Sequence, residues 1–208
     1  MPTPADALQR LIDGNRRSRA AGAKPSGRPW SEELATQSQR PFAIVLGCSD
    51  SRTPVEIVFD EGFGDLFVVR IAGNIVAPSI VGSIEFAASQ FGTPLVVVMG
   101  HTHCGAIAAT VKSIESGTGS GSKNIRSITN RIAPHIEALV RAESGAAIDP
   151  KQVLRDAMRA NVRAAADHLR HGSQLLEELL EAGKIAVVGA EYELETGIVH
   201  FFDGIPLS

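Results

Sequence analysis

The chain has 208 residues, of which 44% are hydrophobic and 21% charged, and its formal net charge is −3. This composition is close to that of an ordinary globular protein, which argues against a disordered chain and against a coiled coil. The longest apolar run, Pro94–Gly100, is far shorter than the roughly 20 residues that a membrane span needs, and no basic block indicates a nucleic-acid partner.

The N-terminal part of the chain is predicted to be helical. Apolar residues at helical spacing predict an amphipathic helix over Ala5–Arg17, and Ser31 is predicted to cap a short helix over Glu32–Gln37. The Gly and Pro content of Ala20–Trp30 predicts a loop, from which Trp30 is expected to pack onto the domain or onto a second subunit. No secretory signal is predicted at the start, because no basic segment precedes an apolar core there.

Uninterrupted apolar runs in the middle of the chain predict the strands of a buried parallel sheet. These runs are Phe42–Gly47, Leu66–Ile71 and Leu95–Gly100. Helices are predicted at Ser79–Gln90, Gly105–Glu115, Asn124–Arg141 with an interruption near Pro134, Asp149–Arg170 and Ser173–Glu181. The stretch Ser116–Ser122 is predicted to be a mobile loop. Two last strands, Lys184–Ala190 and Gly197–Phe202, are expected to form an antiparallel edge.

Strands that alternate with helices predict an α/β fold. We expect a mainly parallel central β-sheet of four to five strands flanked by helices, together with an N-terminal helical arm. No internal repeat or Pro-rich linker divides the sequence, so a single domain is predicted. Residues 1–38 would form the arm and residues 39–208 the α/β core.

The two cysteines, Cys48 and Cys104, both lie just past the carboxyl end of a predicted strand, where open α/β sheets bind their ligands. His101 is three residues before Cys104, so both side chains can converge on one ion. Two thiolates and one imidazole favour zinc and leave a fourth position open for catalysis. His103 is an alternative ligand, and inert burial of the cysteines is the competing interpretation.

The residues that follow Cys48 add an acid and a base two positions apart. Asp50 and Arg52 can project to one side of a turn and pair, which would keep the carboxylate ionised and oriented. Beside zinc, that carboxylate could accept a hydrogen bond from a water molecule. The alternative is that Asp50 only organises the turn through backbone hydrogen bonds.

The sequence resembles the β-class carbonic anhydrases. The resemblance rests on CSDSR (Cys48–Arg52) and GHTHCGA (Gly100–Ala106), which are joined by DLFVVRIAGNIV (Asp65–Val76) and GSIEFA (Gly82–Ala87). It implies Cys48, His101 and Cys104 as ligands of one Zn²⁺ per chain, and Asp50 and Arg52 as the catalytic dyad. In a closed state of some members, the residue that matches Asp50 becomes the fourth ligand.

The resemblance also implies a substrate pocket. It would consist of Gln39, Phe67, Ala72, Phe86 and the backbone amide of Gly105. Phe86 stands where the family usually has Tyr, and Ala72 stands where Val is common; both keep the pocket apolar.

Some bacterial members have an allosteric bicarbonate site built from Trp, Arg and Tyr. Arg70 and Tyr192 match two of its positions, whereas Val45 occupies the Trp position, so we expect the site to be weak or absent here. Arg70 is otherwise predicted to form a structural ion pair, and His135, His168, His171 and His200 are predicted not to bind metal.

The predicted function is the zinc-dependent reversible hydration of carbon dioxide to bicarbonate and a proton. Two alternatives use the same zinc site: a carbonyl sulfide or carbon disulfide hydrolase, and a non-catalytic bicarbonate sensor. The resemblance implies a homodimer or a dimer-of-dimers tetramer, with the Ala5–Arg17 helix reaching across and the active-site cleft at the subunit boundary. Two cysteines are too few for a disulfide framework, which favours the cytoplasm.

Overall fold

A computed structural model gives the fold of residues 1–20, 27–119, 121–143 and 149–206. Its helices are α1 (Pro4–Ser18), α2 (Glu32–Thr36), α3 (Val55–Val58), α4 (Pro78–Phe91), α5 (Gly105–Ser116), α6 (Lys123–Glu143), α7 (Pro150–His171) and α8 (Gln174–Glu181). Its strands are β1 (Ala43–Gly47), β2 (Leu66–Arg70), β3 (Leu95–His101), β4 (Ala186–Tyr192) and β5 (Val199–Asp203). Within the described ranges, no helix is long and apolar enough to cross a membrane.

The five strands form one sheet in the order β2-β1-β3-β4-β5. The first four are parallel to one another, and β5 pairs antiparallel with β4. The predicted α/β fold with a mainly parallel sheet is confirmed, and so is the antiparallel edge. β1 and β3 read as continuous apolar runs because both of their faces are buried, as in most parallel sheets.

The two faces of the sheet are covered unequally. Helices α4 to α8 cover one face, where Ile44, Val96 and Val187 point into a large apolar core. Among the described residues, α1 and α3 cover the other face, where Leu11 of α1 and Phe59, just after α3, are fully buried. Helix α1 therefore packs on the sheet of its own chain.

Several local predictions differ from the structure. Helix α6 continues through Pro134, because its Ile132, Ile136 and Val140 are fully buried and their packing outweighs the hydrogen bond that a proline removes. Ser31 occupies the N-cap position of α2, but its side chain makes no capping hydrogen bond. Trp30 is 68% exposed, so it does not pack onto its own domain. Helix α3 was not predicted.

The two predicted loops are only partly described. Residues 21–26 of the predicted loop at Ala20–Trp30 lie outside the described residues, and so does position 120 of the stretch Ser116–Ser122. The mobility of that second stretch stays a prediction.

Candidate metal centre

Cys48, His101 and Cys104 meet at the carboxyl ends of β1 and β3. Each offers a ligand atom, and the three atoms lie within 4.8 Å of one another. All three residues are buried, with exposed fractions of 5%, 1% and 5%. The structure thus brings together the three side chains that the sequence singled out.

The turn between the last two of these residues explains how they face the same point. His103 has a φ of +57°, in the left-handed region that few residues other than glycine adopt. This conformation reverses the chain directly after β3, so that Cys104 becomes the N-cap residue of α5. The side chain of His103 points instead toward Glu195, which removes it from the cluster.

The imidazole of His101 is oriented by a backbone carbonyl. Its Nδ1 lies 2.8 Å from the carbonyl oxygen of Thr102. Because a carbonyl only accepts hydrogen bonds, Nδ1 carries the proton and Nε2 keeps its lone pair. Nε2 is buried and has no hydrogen-bond partner among the described residues. Such an orphaned acceptor, next to two sulfurs, is what an ion would satisfy.

The hydrogen bond between the two sulfurs shifts their pKa values in opposite directions. The pKa of Cys48 is lowered to about 4, chiefly because the Cys104 thiol hydrogen-bonds to it, with further support from the Gly73 amide. The Gly73 N–H donates to Cys48 Sγ over 3.4 Å. The hydrogen bond with Cys48, together with burial, raises the pKa of Cys104. A bound metal ion would deprotonate the second thiol as well.

The donor set fits zinc. Thiolate sulfur and imidazole nitrogen are the ligands that zinc prefers, and three protein ligands with one free position are the usual arrangement of a catalytic zinc site. Within the described chain, these three residues are the one group of His, Cys, Asp or Glu side chains with such spacing.

Asp50 and Arg52 form a bidentate ion pair beside this group. Arg52 Nε donates to Asp50 Oδ1 over 2.9 Å and Nη2 donates to Oδ2 over 2.8 Å, while the Arg52 amide also donates to Oδ1. These hydrogen bonds hold the pKa of the Asp50 carboxyl well below its usual range. The carboxylate is therefore ionised and fixed in direction, as the sequence predicted.

Arg70 anchors the loop that carries this dyad. Its Nε donates to the carbonyl of Cys48 over 2.8 Å, and its Nη2 donates to the carbonyl of Asp50 over 2.5 Å. The prediction of a structural ion pair was wrong, because the guanidinium satisfies backbone carbonyls at the end of β1 instead. A charged donor on the neighbouring strand can thereby fix the turn after Cys48.

The predicted substrate residues lie on several different elements. Phe67 and Phe86 both contact Phe91, with ring centroids 6.3 Å and 5.4 Å apart. Ala72 opens the 3-10 turn Ala72–Asn74, and Gly105 is the exposed first residue of α5. Gly105 directly follows Cys104, and Ala72 precedes Gly73, whose amide donates to Cys48 Sγ.

Gln39, the remaining predicted substrate residue, lies in the loop between α2 and β1. It is exposed and lines a shallow groove with Trp30 and Phe63. Phe86 is also 52% exposed. Both side chains are thus exposed in the single chain.

A larger cavity of about 530 Å³ borders the loop from His101 to Cys104. The start of α7, Ile107 and Ala108 of α5, and Glu193, Glu195 and Thr196 form its other walls. None of the predicted substrate residues lines it, so it is distinct from the predicted pocket.

Gly73 is a supporting residue whose role the sequence did not indicate. It has a φ of +70°, and its carbonyl accepts a buried hydrogen bond from Asn161 Nδ2 over 2.9 Å. Its amide then points at Cys48 Sγ. In the sequence, the AGN triplet after β2 marks the position of Gly73. The hydrogen bond from the distant Asn161 can be identified only in the fold.

Comparisons with known proteins identify the family. The family model described as carbonic anhydrase matches residues 43–199. The chain belongs to the β-class carbonic anhydrases. It is 39% identical over 197 residues to the carbonic anhydrase of Mycolicibacterium smegmatis, covering 94% of this chain and 92% of that protein. It is 34% identical over 195 residues to carbonic anhydrase 2 of Mycobacterium tuberculosis, covering 93% and 90%.

Solved structures agree in fold. The β-carbonic anhydrase CcaA superposes with a TM-score of 0.70 at 26% identity, covering 95% of this chain and 96% of that one. A tetrameric β-carbonic anhydrase of Sordaria macrospora superposes with a TM-score of 0.72 at 24% identity, covering 82% and 84%.

The activity follows from this membership. The protein is a lyase that catalyses the reversible hydration of carbon dioxide to bicarbonate. The relatives named above are themselves carbonic anhydrases, so neither a carbonyl sulfide or carbon disulfide hydrolase nor a bicarbonate sensor is favoured.

Replacing Gly73 with Ala should destabilise the protein by about 1–3 kcal/mol, because the added Cβ is strained at positive φ and meets Ile132 Cδ1 at 2.9 Å. Thermal unfolding of Gly73→Ala measures this loss. Gly82→Ala is the matched control, since a Cβ there meets nothing within 4 Å. Equal midpoints for the two variants would contradict the packing described for Gly73.

Proposed function

We propose that this carbonic anhydrase carries out its reaction at a single zinc ion per chain, held by Cys48, His101 and Cys104. The observation that supports this proposal most directly is the buried Nε2 of His101, which has no hydrogen-bond partner among the described residues and lies within 4.8 Å of the two sulfurs. Zinc at such a site activates a water molecule as the nucleophile near neutral pH.

The protein's own groups prepare the ligands. The Thr102 carbonyl fixes the His101 tautomer, so Nε2 faces the site without a proton. The Gly73 amide supports negative charge on Cys48. The N-terminal turn of α5 supports negative charge on Cys104, through the amides of Ala106 and Ile107.

Asp50 is proposed to orient the attacking water. Its carboxylate accepts the hydrogen of that water and aims a lone pair at carbon dioxide. Arg52 binds both carboxylate oxygens, which keeps Asp50 ionised and restrains it from becoming a ligand itself. This pairing favours the open arrangement of the site, in which the fourth position is free.

We propose that Phe67, Ala72 and Phe86 provide an apolar wall for carbon dioxide. Gln39 and the Gly105 amide would receive the oxygen that becomes negative. Exposed Gln39 and Phe86 can enclose a pocket only if a second copy of the chain adjoins them.

We therefore propose a homodimer or a dimer of dimers, with the cleft at the subunit boundary. The exposed aromatic side chains of Trp30, Phe63 and Phe86 support this proposal, because an oligomer would cover them. The related protein of Sordaria macrospora is described as tetrameric. A single domain with an arm of residues 1–38 and a core of residues 39–208 belongs to the same proposal.

The cytoplasm is the compartment we propose. The two cysteines form no disulfide and are both buried at the candidate metal site. A reducing compartment keeps such thiols available for a metal ion.

Substituting Cys48 by Ser should remove zinc and carbon dioxide hydration together, because a hydroxyl is a poor substitute for a thiolate ligand. Elemental analysis and a stopped-flow hydration assay measure the two effects. Ser49→Ala, an exposed neighbour, is the control and should retain both. Full zinc occupancy in Cys48→Ser would show that the ligand assignment is wrong.

Substituting Asp50 by Asn should lower turnover by about 10²–10³ while zinc stays bound, because an amide can donate where an acceptor is needed. Arg52→Ala should also lose activity, by a different route: the freed Asp50 can become a fourth ligand. The visible spectra of the cobalt-substituted variants should therefore differ. Asp167→Asn, which is exposed on α7, serves as the control.

The proposed role of the dyad fails if Asp50→Asn keeps native turnover. It also fails if the two dyad variants give the same cobalt spectrum.

Bicarbonate should inhibit the enzyme only by ordinary product competition. Val45 is fully buried in β1 and cannot replace an indole, and Arg70 is occupied by the carbonyls of Cys48 and Asp50. Initial rates over a range of bicarbonate concentrations measure the inhibition. A cooperative inhibition curve would refute this expectation.

A further inference from the structure

The turn between β4 and β5 contacts the loop that carries two of the candidate metal ligands. Thr102 lies between His101 and Cys104, and all of its polar groups are engaged. Its amide donates to the Tyr192 carbonyl over 3.0 Å, and its hydroxyl accepts from the Leu194 amide over 3.0 Å. That hydroxyl also donates to Glu195 Oε2 over 2.9 Å. Its carbonyl accepts the His101 Nδ1 proton.

Glu195 holds the next residue of the loop as well. Its second carboxylate oxygen, Oε1, accepts from Nε2 of His103, the residue with left-handed backbone. The hydrogen bond from His103 lowers the pKa of Glu195 to about 2, so the carboxylate is ionised. Thr102, His103 and Glu195, which we name the Glu195 cluster, thus join two segments about 92 residues apart in sequence.

The turn that supplies Glu195 is itself rigid. Glu193 and Gly197 close it with a backbone hydrogen bond of 2.8 Å. The Glu193 side chain accepts from the Thr196 hydroxyl over 2.8 Å and from Arg155 Nη2 over 3.1 Å. Asn15 of α1 donates to the Gly197 carbonyl over 2.9 Å. Because these hydrogen bonds hold the turn between β4 and β5, this turn can restrain the loop from His101 to Cys104 that it contacts.

We propose that Glu195 is a positioning residue of the metal centre, which acts through Thr102 and His103 to hold His101 and Cys104 in the orientation that binds the ion. Neither Glu195 nor Thr102 belongs to the group of ligand atoms. Their effect is transmitted by the Thr102 carbonyl, whose position sets the direction of the His101 ring. The inference rests on the proposed zinc site.

The expected change in zinc release follows from the effect that residues orienting a metal ligand have on metal binding. Loss of a group that orients a ligand typically lowers metal affinity or activity by about 10–100-fold. Glu195 acts one residue further from the metal, and its side chain is 55% exposed. We therefore expect zinc to be released about 10-fold faster when the cluster is broken, at the lower end of that range.

Two pairs of substitutions separate positioning from simple stabilisation. Thr102→Val removes only the hydroxyl, whereas Thr102→Ser keeps it. Glu195→Ala removes both acceptors, whereas Glu195→Gln can still accept from His103 and donate to the Thr102 hydroxyl. Glu137→Ala is the control, because Glu137 is a similarly exposed glutamate that pairs with Arg141 on α6.

The measurement is the rate at which excess EDTA removes zinc from the purified, zinc-loaded protein, combined with thermal unfolding of the zinc-free and zinc-loaded forms. Thr102→Val and Glu195→Ala should release zinc about 10-fold faster and gain less thermal stability from zinc. Thr102→Ser, Glu195→Gln and Glu137→Ala should stay close to the wild type.

Two results would overturn the inference while the proposed function stands. One is an unchanged release rate in Thr102→Val and Glu195→Ala. The other is a thermal destabilisation by Thr102→Val and Glu195→Ala that is equal in the zinc-free and zinc-loaded forms. Wild-type protein that holds no zinc by elemental analysis would overturn the proposed function and this inference together.

Discussion

The parallel pairing of β1 with β3 is the constraint on which the rest of the site depends. Its register places Gly47 opposite Met99, so Cys48 leaves β1 at the level where β3 continues to Gly100 and His101. A shift by one residue would turn every side chain to the opposite face of the sheet. Because both strands are buried on both faces, the apolar packing that stabilises the sheet also fixes the distance between the first cysteine and the histidine.

Burial makes the binding of a cation at this site energetically favourable. A thiolate and an unprotonated imidazole nitrogen that are both removed from water are costly unless something pairs with them. The Gly73 amide, the Thr102 carbonyl and the start of α5 provide part of this compensation. The Nε2 atom of His101 is left without a partner within the described chain. These features support the proposed ion, while the pairing with Arg52 keeps the Asp50 carboxylate ionised.

The sequence predicted the features that depend on the local hydrophobic pattern and on the positions of the strand ends. Apolar runs identified β1, β2 and β3, and the position of both cysteines after such runs indicated the cluster of Cys48, His101 and Cys104. Contacts between distant segments could not be predicted in this way. Asn161 supports Gly73 across 88 residues, and Glu195 reaches Thr102 across 93. Local propensity predicts an interruption at Pro134, because it does not show the buried Ile132 and Ile136, whose packing keeps α6 continuous. Gln39 and Phe86 are exposed in the single chain, which is expected if a second copy completes the pocket.

The central claim is that two sulfurs and one imidazole nitrogen bind the ion. X-ray absorption spectroscopy at the zinc edge of the wild-type protein tests it most directly, because sulfur and nitrogen neighbours differ in distance and in scattering. We expect two sulfur neighbours at about 2.3 Å and one imidazole nitrogen at about 2.0–2.1 Å, with one further light atom. A first shell with no sulfur, or with only one, would contradict it.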